Sequence, residues 1–213
     1  MHIRQLILTF FILLTTSTIY GQKKFKVVVK ETETWRSIYS FVDTKGKTFR
    51  QLDTSNYYTC FTTDTYVYFA IFGKKDFKGW AAMNSEEKVV FNVYNTSFGE
   101  PTPDDIIENK IRIVDSNNLI GFANKKGQII IKPKFEIATS FYNGKAIIGQ
   151  NCEKVLWGEH LKESDCHHYS IVCKRHGYIN EKGVVKKIGA FSFEKIVKEI
   201  NWKAPDLQMY YSQ

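Results

Sequence analysis

The same polar turn between two apolar runs occurs four times in this chain of 213 residues. Each copy begins with Asp or Asn, whose side chain can accept a hydrogen bond from the backbone two residues later, and three copies have Gly at the position that closes the turn. The β-branched and aromatic runs on both sides predict strands, so each copy is interpreted as a β-hairpin. A single hairpin cannot bury its apolar face, whereas stacked hairpins can, and the repetition predicts an all-β array of about four degenerate hairpin repeats. The turns lie near residues 43–46, 84–87, 124–127 and 180–183.

The intervals between these turns are unequal. Measured from one initial Asp or Asn to the next, they are 41, 40 and 56 residues, so the third interval holds an insertion at about 150–176. Each repeat is expected to contain about three strands, with 110–114 as the additional strand of the second repeat and 145–148 as that of the third. Residues 132–135 are expected to end the second strand of the third repeat, because Pro133 has no N–H to donate to a β-ladder.

Helix signals are sparse. The chain has 12 Tyr and 16 Phe, residues that favour strands. One helix is predicted at 193–200, where Ile196 and Ile200 lie four residues apart and Pro205 follows.

The N-terminus has the pattern of a secretory signal. Arg4 precedes a run of nine apolar or weakly polar residues at 6–14, and small and polar residues follow up to Gly21. This run is well short of the ~20 residues that a membrane-spanning helix needs. We therefore predict a signal peptide at 1–21, a single β-repeat domain at 22–213 without a transmembrane segment, and a secreted or periplasmic location.

The insertion contains three of the four cysteines and several histidines. A zinc site is one interpretation, but the cysteines lack the CxxC spacing that brings two ligands together. An oxidising compartment favours disulfides instead. Cys152 and Cys173 could face each other across an extended hairpin and are the first candidates, with Cys152–Cys166 as the alternative.

A thiol nucleophile is a further interpretation of the insertion. His167 and His168 follow Cys166 directly, but neighbours on a strand point to opposite faces, so exposed loop histidines are favoured over a catalytic dyad. The paired carboxylates at 86–87 and 104–105 are interpreted as turn residues rather than as an acid and a base. No catalytic residue, metal site or cofactor is predicted.

A tyrosine-rich run at 65–72 is a possible binding surface. Alternation along one strand would place Tyr66 and Tyr68 together on one face, opposite Val67 and Phe69. Such a face could stack on sugars or accept a partner strand. The alternative is a sheet core whose tyrosine hydroxyls reach water.

The excess of positive charge lies in the C-terminal half of the chain. Residues 22–109 carry 12 basic and 12 acidic side chains, whereas residues 110–213 carry 17 and 10. The C-terminal half could approach an anionic polymer or a lipid surface. Lysines scattered over a solvated surface are the alternative.

The third repeat carries a family resemblance. Its sequence Gly-Phe-Ala-Asn-Lys-Lys-Gly at 121–127, the Ile run after it, Pro133-Lys134-Phe135 and 140–146 resemble the WG (KWG) β-repeat of bacterial proteins. Together with the signal peptide, the chain is similar to exported members of that family from Bacteroidetes-like bacteria. The Trp-Gly pair itself is not kept in any repeat, where the two positions read Tyr39-Ser40, Trp80-Ala81, Ile120-Gly121 and His176-Gly177.

The resemblance implies an interaction or structural module rather than a defined reaction. The leading expectation is an exported, non-enzymatic module that binds a protein or a cell-envelope polymer. A cell-envelope hydrolase or hydrolase inhibitor is the alternative, and a polyanion-binding surface protein is the third. Neither a nucleic-acid partner nor a particular oligomer is predicted.

Overall fold

Fifteen strands and one helix form the part of the chain that the structure describes. The computed structural model describes residues 23–33, 37–75, 79–96, 102–156 and 169–205. The predicted signal peptide and residues 157–168 of the insertion lie outside them. The strands and helix are β1 (Phe25–Glu31), β2 (Ser37–Val42), β3 (Thr48–Gln51), β4 (Tyr57–Cys60), β5 (Tyr66–Val67), β6 (Ala70–Lys74), β7 (Trp80–Met83), β8 (Val89–Val93), β9 (Lys110–Val114), β10 (Ile120–Asn124), β11 (Ile129–Phe135), β12 (Ile137–Ala138), β13 (Lys145–Leu156), β14 (Tyr169–Asn180), β15 (Val185–Gly189) and α1 (Phe193–Ile200).

The strands form three antiparallel sheets. The first has the order β3-β2-β1-β5, the second β11-β10-β9-β8-β7-β6-β4, and the third β12-β13-β14-β15. One apolar core packs the first sheet against the second, and another packs the second against the third. The all-β prediction is confirmed.

All four predicted turns join the second and third strands of a three-stranded meander. In the third repeat, Asn124 Oδ1 accepts from the backbone N–H of Lys126 at 2.9 Å and of Gln128 at 3.1 Å. The Gly127 N–H donates to the Asn124 carbonyl at 2.8 Å, and Gly127 has a φ of 79°. The other three turns repeat this pattern of bonds, with Asp43, Asn84 and Asn180 in place of Asn124.

Glu87 occupies the position at which the other three turns have Gly. Its φ is 65°, in the left-handed region that a side chain adopts at a cost of about 1 kcal/mol. Its carboxylate accepts from the Tyr57 hydroxyl at 2.7 Å and lies 3.3 Å from Arg50 Nη1. These contacts offset the backbone strain and connect the second repeat to the first.

A fifth turn of the same kind joins β9 and β10. Asp115 Oδ1 accepts from the backbone N–H of Asn117 and of Leu119, each at 2.9 Å. Asn118 takes the left-handed position, with a φ of 61°. This turn was not among the four that the sequence analysis identified.

The second strand of the third repeat ends at Phe135, inside the predicted segment 132–135, but Pro133 itself does not interrupt the strand. The strand β11 continues through Pro133 to Phe135, and its pairing with β10 is irregular between Ile120 and Phe122. Because β11 is the edge of its sheet and bulges here, proline costs no ladder bond. Gly121 makes room for the bulge, since a Cβ on it would lie 2.5 Å from the Pro133 nitrogen.

The residue four positions before each turn is buried in every repeat. The exposed fractions are 4% for Tyr39, 8% for Trp80, 2% for Ile120 and 8% for His176. Packing therefore requires a large side chain at this position, and tryptophan is one of several that fill it. His176 meets this requirement through its ring, whose Nδ1 lies 2.9 Å from the Phe191 carbonyl.

The insertion lengthens two neighbouring strands into a ribbon. The strands β13 and β14 have 12 residues each and pair from Lys145 and Asn180 out to Leu156 and Tyr169. Cys152 and Cys173 stand opposite each other in this ribbon and form a disulfide. Cys166 of the alternative pairing lies outside the described residues.

The predicted helix is confirmed as α1. Ser192 caps it by accepting from the Lys195 N–H at 3.2 Å, and Asn201 ends it in the left-handed conformation. Ile196 and Ile200 are buried against the third sheet beside Ile147. Among the described residues, no helix has the length and apolar character required to cross a membrane.

Candidate functional site: a basic groove on the third sheet

An open groove lies where the third sheet meets the turn of the fourth repeat. Its volume is about 580 Å³. The N-terminal end of β13, the C-terminal end of β14 and the beginning of β15 form its sides. The residues that give it its chemistry are Asn143, Lys145, Tyr178, Glu181, Lys182 and Lys186.

Tyr178 provides the aromatic part of the groove. Its side chain is half-buried, and Lys145 Nζ lies 5.8 Å from the ring centre. Lys145 stands opposite Asn180 in the ladder, so the strand pairing holds its side chain beside the ring. A cation at this distance from a ring is within range of a weak attraction.

The two remaining lysines of the groove are exposed. Lys182 belongs to the Asn180 turn, and its backbone N–H donates to Asn180 Oδ1 at 3.2 Å. Lys186 lies on β15, an edge strand of the third sheet. Both ammonium groups can therefore approach a ligand without first being desolvated.

The one carboxylate in the groove is paired with a lysine of another repeat. Glu181 Oε1 accepts from Lys110 Nζ at 2.7 Å, and Lys110 is 9% exposed. This bond, with the positive charge of Lys110, lowers the pKa of Glu181 below its ordinary value. With Glu181 paired to a lysine at the rear, the three groove lysines present a net positive surface.

The turn at the mouth of the groove is held by a neighbouring repeat. Asn143 and Gly144 both have positive φ and form a two-residue hairpin turn between Tyr142 and Lys145. Glu108 accepts from the Asn143 N–H at 2.5 Å and from the Gly144 N–H at 3.0 Å. Backbone donors and a carboxylate thus fix the shape of this edge.

The tyrosine run at 65–72 is not one strand, so the prediction of a continuous tyrosine face is wrong in its geometry. Tyr66 lies on β5 in the first sheet, whereas Ala70 begins β6 in the second. The chain bends between them because Phe69 and Ile71 are buried in the second sheet. Tyr66 is exposed and its hydroxyl donates to the Asp43 carbonyl at 3.2 Å, while Tyr68 is half-buried. A role for these two residues in binding stays a prediction.

The two carboxylates of each sequence pair have different surroundings in the structure. Asp104 is 3% exposed and accepts from Arg112 through both oxygens, while the exposed Asp105 makes a separate surface position. Partial desolvation of the Asp105 carboxyl, followed by the charge of Asp104, raises the pKa of Asp105. Glu86 pairs with Lys88 at 2.8 Å, and Glu87 contacts Arg50.

The cysteines and histidines of the insertion are only partly described. The sulfurs of Cys152 and Cys173 are bonded to each other and are not available as thiolates. His167 and His168 lie outside the described residues. In the described ranges, no three His, Cys, Asp or Glu side chains are grouped closely enough to hold a metal ion. Cys60 is a free thiol whose pKa is raised by burial to about 12.

Sequence analysis located the charge but not the groove. The excess of lysine after residue 110 was visible, and three of those lysines, Lys145, Lys182 and Lys186, line the groove. Their convergence depends on the pairing of β13 with β14 and β15, which brings together residues about 40 positions apart. The sequence feature that could have indicated the groove is Tyr178, an aromatic residue two positions before a repeat turn.

Comparison with known proteins gives one match. The model of the family described as WG containing repeat matches residues 120–151. This segment begins at Ile120 on β10 and ends at Asn151 on β13, so it covers the bulge at Pro133 and the turn at Asn143. No curated protein and no solved structure matches the chain. The third repeat, which forms one side of the basic groove, is therefore similar to the WG containing repeat.

Proposed function

We propose that this chain is an exported, non-enzymatic interaction module of the bacterial cell envelope, which binds an anionic partner through the basic groove. The observation that carries the proposal is the convergence of Lys145, Lys182 and Lys186 around the half-buried Tyr178. The partner is a protein surface or an envelope polymer that carries carboxylate or phosphate groups.

Electrostatics supports an anionic partner. The groove lies in the half of the chain that has 17 basic and 10 acidic side chains. An excess of one sign raises the local concentration of an oppositely charged ligand and its association rate. The lysines bind by charge, and the ring of Tyr178 adds apolar contact area.

The open shape of the groove supports binding rather than turnover as its role. Its sides are the ends of three strands and two turns, so an extended polymer could lie across it without threading into a cavity. The similarity of residues 120–151 to the WG containing repeat also favours an interaction module.

The groove makes a testable prediction about charge. Replacing Lys182 and Lys186 by Gln is expected to weaken binding of a fluorescent decagalacturonate about fivefold, since each exposed charge pair contributes about 0.2–1 kcal/mol. For the unmodified protein, the affinity is expected to fall between 50 and 200 mM NaCl because the Debye length shortens. Fluorescence anisotropy measures both effects.

A matched control comes from the first repeat. Lys45 and Lys47 are exposed lysines of the Asp43 turn, and Lys45 has the same repeat position as Lys182. Replacing Lys45 and Lys47 by Gln is expected to leave the affinity unchanged. Equal losses in both double variants, or affinity that does not change with salt, would contradict a specific anionic site at the groove.

Export is supported by the disulfide and by the N-terminal pattern. Disulfides persist in the periplasm and outside the cell and are rare in the cytosol. The protein secreted from a bacterial host is expected to have the mass of a chain that begins at Gln22 or nearby. Under denaturing alkylation, the reduced protein is expected to gain at least two more labels than the unreduced one.

The same mass spectrum contains the results that would overturn export. The mass of a chain that begins at Met1 would show that the signal peptide is retained. Labelling of all four cysteines without reductant would show that the Cys152–Cys173 bond is absent. Either result would remove a ground for the periplasmic or secreted location.

A further inference from the structure

A second concave site lies in the N-terminal half, where the first and second sheets meet. Its volume is about 460 Å³. The beginning of β2, the turn before β4, β4 itself and Lys75 at the end of β6 enclose it. It shares no residue with the basic groove.

The walls of this cleft are held by hydrogen bonds. Asp53 caps a 3₁₀ turn at Thr54–Asn56 by accepting from the Ser55 N–H at 3.0 Å. The Lys75 N–H donates to the Asn56 carbonyl at 3.1 Å, which ties this turn to the end of β6. The cleft is thus formed before any ligand arrives, which reduces the entropy lost on binding.

Aromatic rings form the apolar surface of the cleft. Tyr39 and Tyr57 are buried at its base, and both pack against Phe72. Tyr58 is 66% exposed and lines the cleft, although its two neighbours on β4, Tyr57 and Thr59, are more buried. An exposed tyrosine next to a cavity offers a flat apolar face at a low cost in side-chain entropy.

Small polar groups surround these rings. Ser37, Thr54 and Ser55 contribute hydroxyls, each of which can both donate and accept. Hydrogen bonds from the Ser55 side chain and backbone, together with the charge of Lys75, lower the pKa of Asp53. One carboxylate and one ammonium group therefore face the same cleft, and their charges cancel.

We propose that this cleft binds a neutral oligosaccharide. Sugars present an apolar C–H face and a rim of hydroxyls, which match an exposed tyrosine ring bordered by hydroxyl, carboxylate and ammonium groups. The balanced charge of the cleft, and of the whole segment 22–109 with 12 basic and 12 acidic side chains, does not favour an ionic ligand. This site is independent of the anionic partner proposed for the groove.

The test uses two neutral tetrasaccharides, chitotetraose and cellotetraose, and an anionic one, tetragalacturonate. Isothermal titration with the full mature chain is expected to detect binding of at least one neutral tetrasaccharide, with equal affinity at 50 and 500 mM NaCl. Tyr58→Ala is expected to weaken this binding about tenfold through the loss of the stacking surface. Because Tyr58 is exposed, the variant should keep the fold, which circular dichroism checks.

Phe61→Ala is the matched control. Phe61 is also exposed, at 50%, but follows β4 and does not line the cleft. Its replacement is expected to leave saccharide binding unchanged. The proposal is overturned if neither neutral tetrasaccharide binds, if Tyr58→Ala leaves the affinity unchanged, if Phe61→Ala abolishes binding, or if only tetragalacturonate binds at the cleft. Failure here leaves the groove proposal intact, because the Lys182 and Lys186 variants test that separately.

Discussion

Replacing Asp104 by Ala is expected to lower the free energy of unfolding by about 3–5 kcal/mol, because removal of one partner leaves a buried charge unpaired. Asp104 is 3% exposed, and the Arg112 side chain is 14% exposed. The carboxylate accepts from Arg112 Nε at 3.1 Å, from its Nη2 and from its backbone N–H at 2.8 Å. The same guanidinium donates to the Ala138 carbonyl at 3.2 Å and stacks 4.5 Å from the Tyr94 ring. Loss of Asp104 therefore disturbs the contact between the second and third sheets.

Urea denaturation followed by tryptophan fluorescence measures this effect. Asp105→Ala is the matched control, since it removes the neighbouring carboxylate from an exposed position, and we expect a change within about 0.5 kcal/mol. Adding Arg112→Met to Asp104→Ala is expected to recover part of the stability, because the unpaired charge is then absent. A loss below about 1 kcal/mol for Asp104→Ala would show that water or another group replaces the carboxylate.

Gly177→Ala is expected to destabilise the protein by about 3 kcal/mol or more, at the upper end of the range for overpacking. A Cβ on Gly177 would lie 1.8 Å from the Lys187 carbonyl oxygen and 2.7 Å from Ile188 Cα. These are backbone atoms of the paired strand, so no side-chain rotation can relieve the overlap. The strand β15 would have to move away from β14, and Gly177↔Ile188 pairing would be lost.

The first repeat supplies the control for this substitution. Ser40 has the repeat position of Gly177 and already carries a Cβ, so Ser40→Ala is expected to change the stability by about 0.5 kcal/mol or less. Thermal unfolding by calorimetry compares the two variants. Hydrogen exchange should show faster exchange at Lys187 and Ile188 in Gly177→Ala. Equal stability of the two variants would mean that β15 adapts without cost.

Local chemistry explains which parts of the fold could be predicted. The repeat turns follow from one Asp or Asn side chain and one position with positive φ, and helix α1 follows from a cap and two isoleucines. The residues that make up each of these signals lie within a few positions of one another. The Cys152–Cys173 pair is 21 residues apart, but it could be predicted because a hairpin places the two residues opposite each other.

Features that depend on distant partners escaped prediction. Pro133 continues a strand because Gly121, on the neighbouring strand, leaves space for the bulge. Tyr66 and Ala70 separate into two sheets because Phe69 and Ile71 are buried among residues of the second sheet. The two candidate sites likewise assemble residues from three or more elements each, so only their composition was visible beforehand.

The two repeat positions that correspond to Trp-Gly have distinct packing requirements. The first residue must fill a buried space, which Tyr39, Ile120 and His176 do as well as Trp80. The second must be small wherever the third strand passes close above it, as at Gly121 and Gly177. In the second repeat this position is Ala81, which pairs with Asn92. The fold of these repeats therefore does not depend on the Trp-Gly pair itself, which none of the four repeats has at these positions.

Side chains at two of the repeat turns form bonds to neighbouring repeats, and these bonds bear on how the array unfolds. Glu87 connects the second repeat to Tyr57 and Arg50, Glu108 holds the Asn143 turn, and Lys110 binds Glu181. In a linear array, the strength of such neighbour contacts sets how many units unfold together. These bonds each join two repeats, so we expect neighbouring repeats to unfold together rather than one at a time.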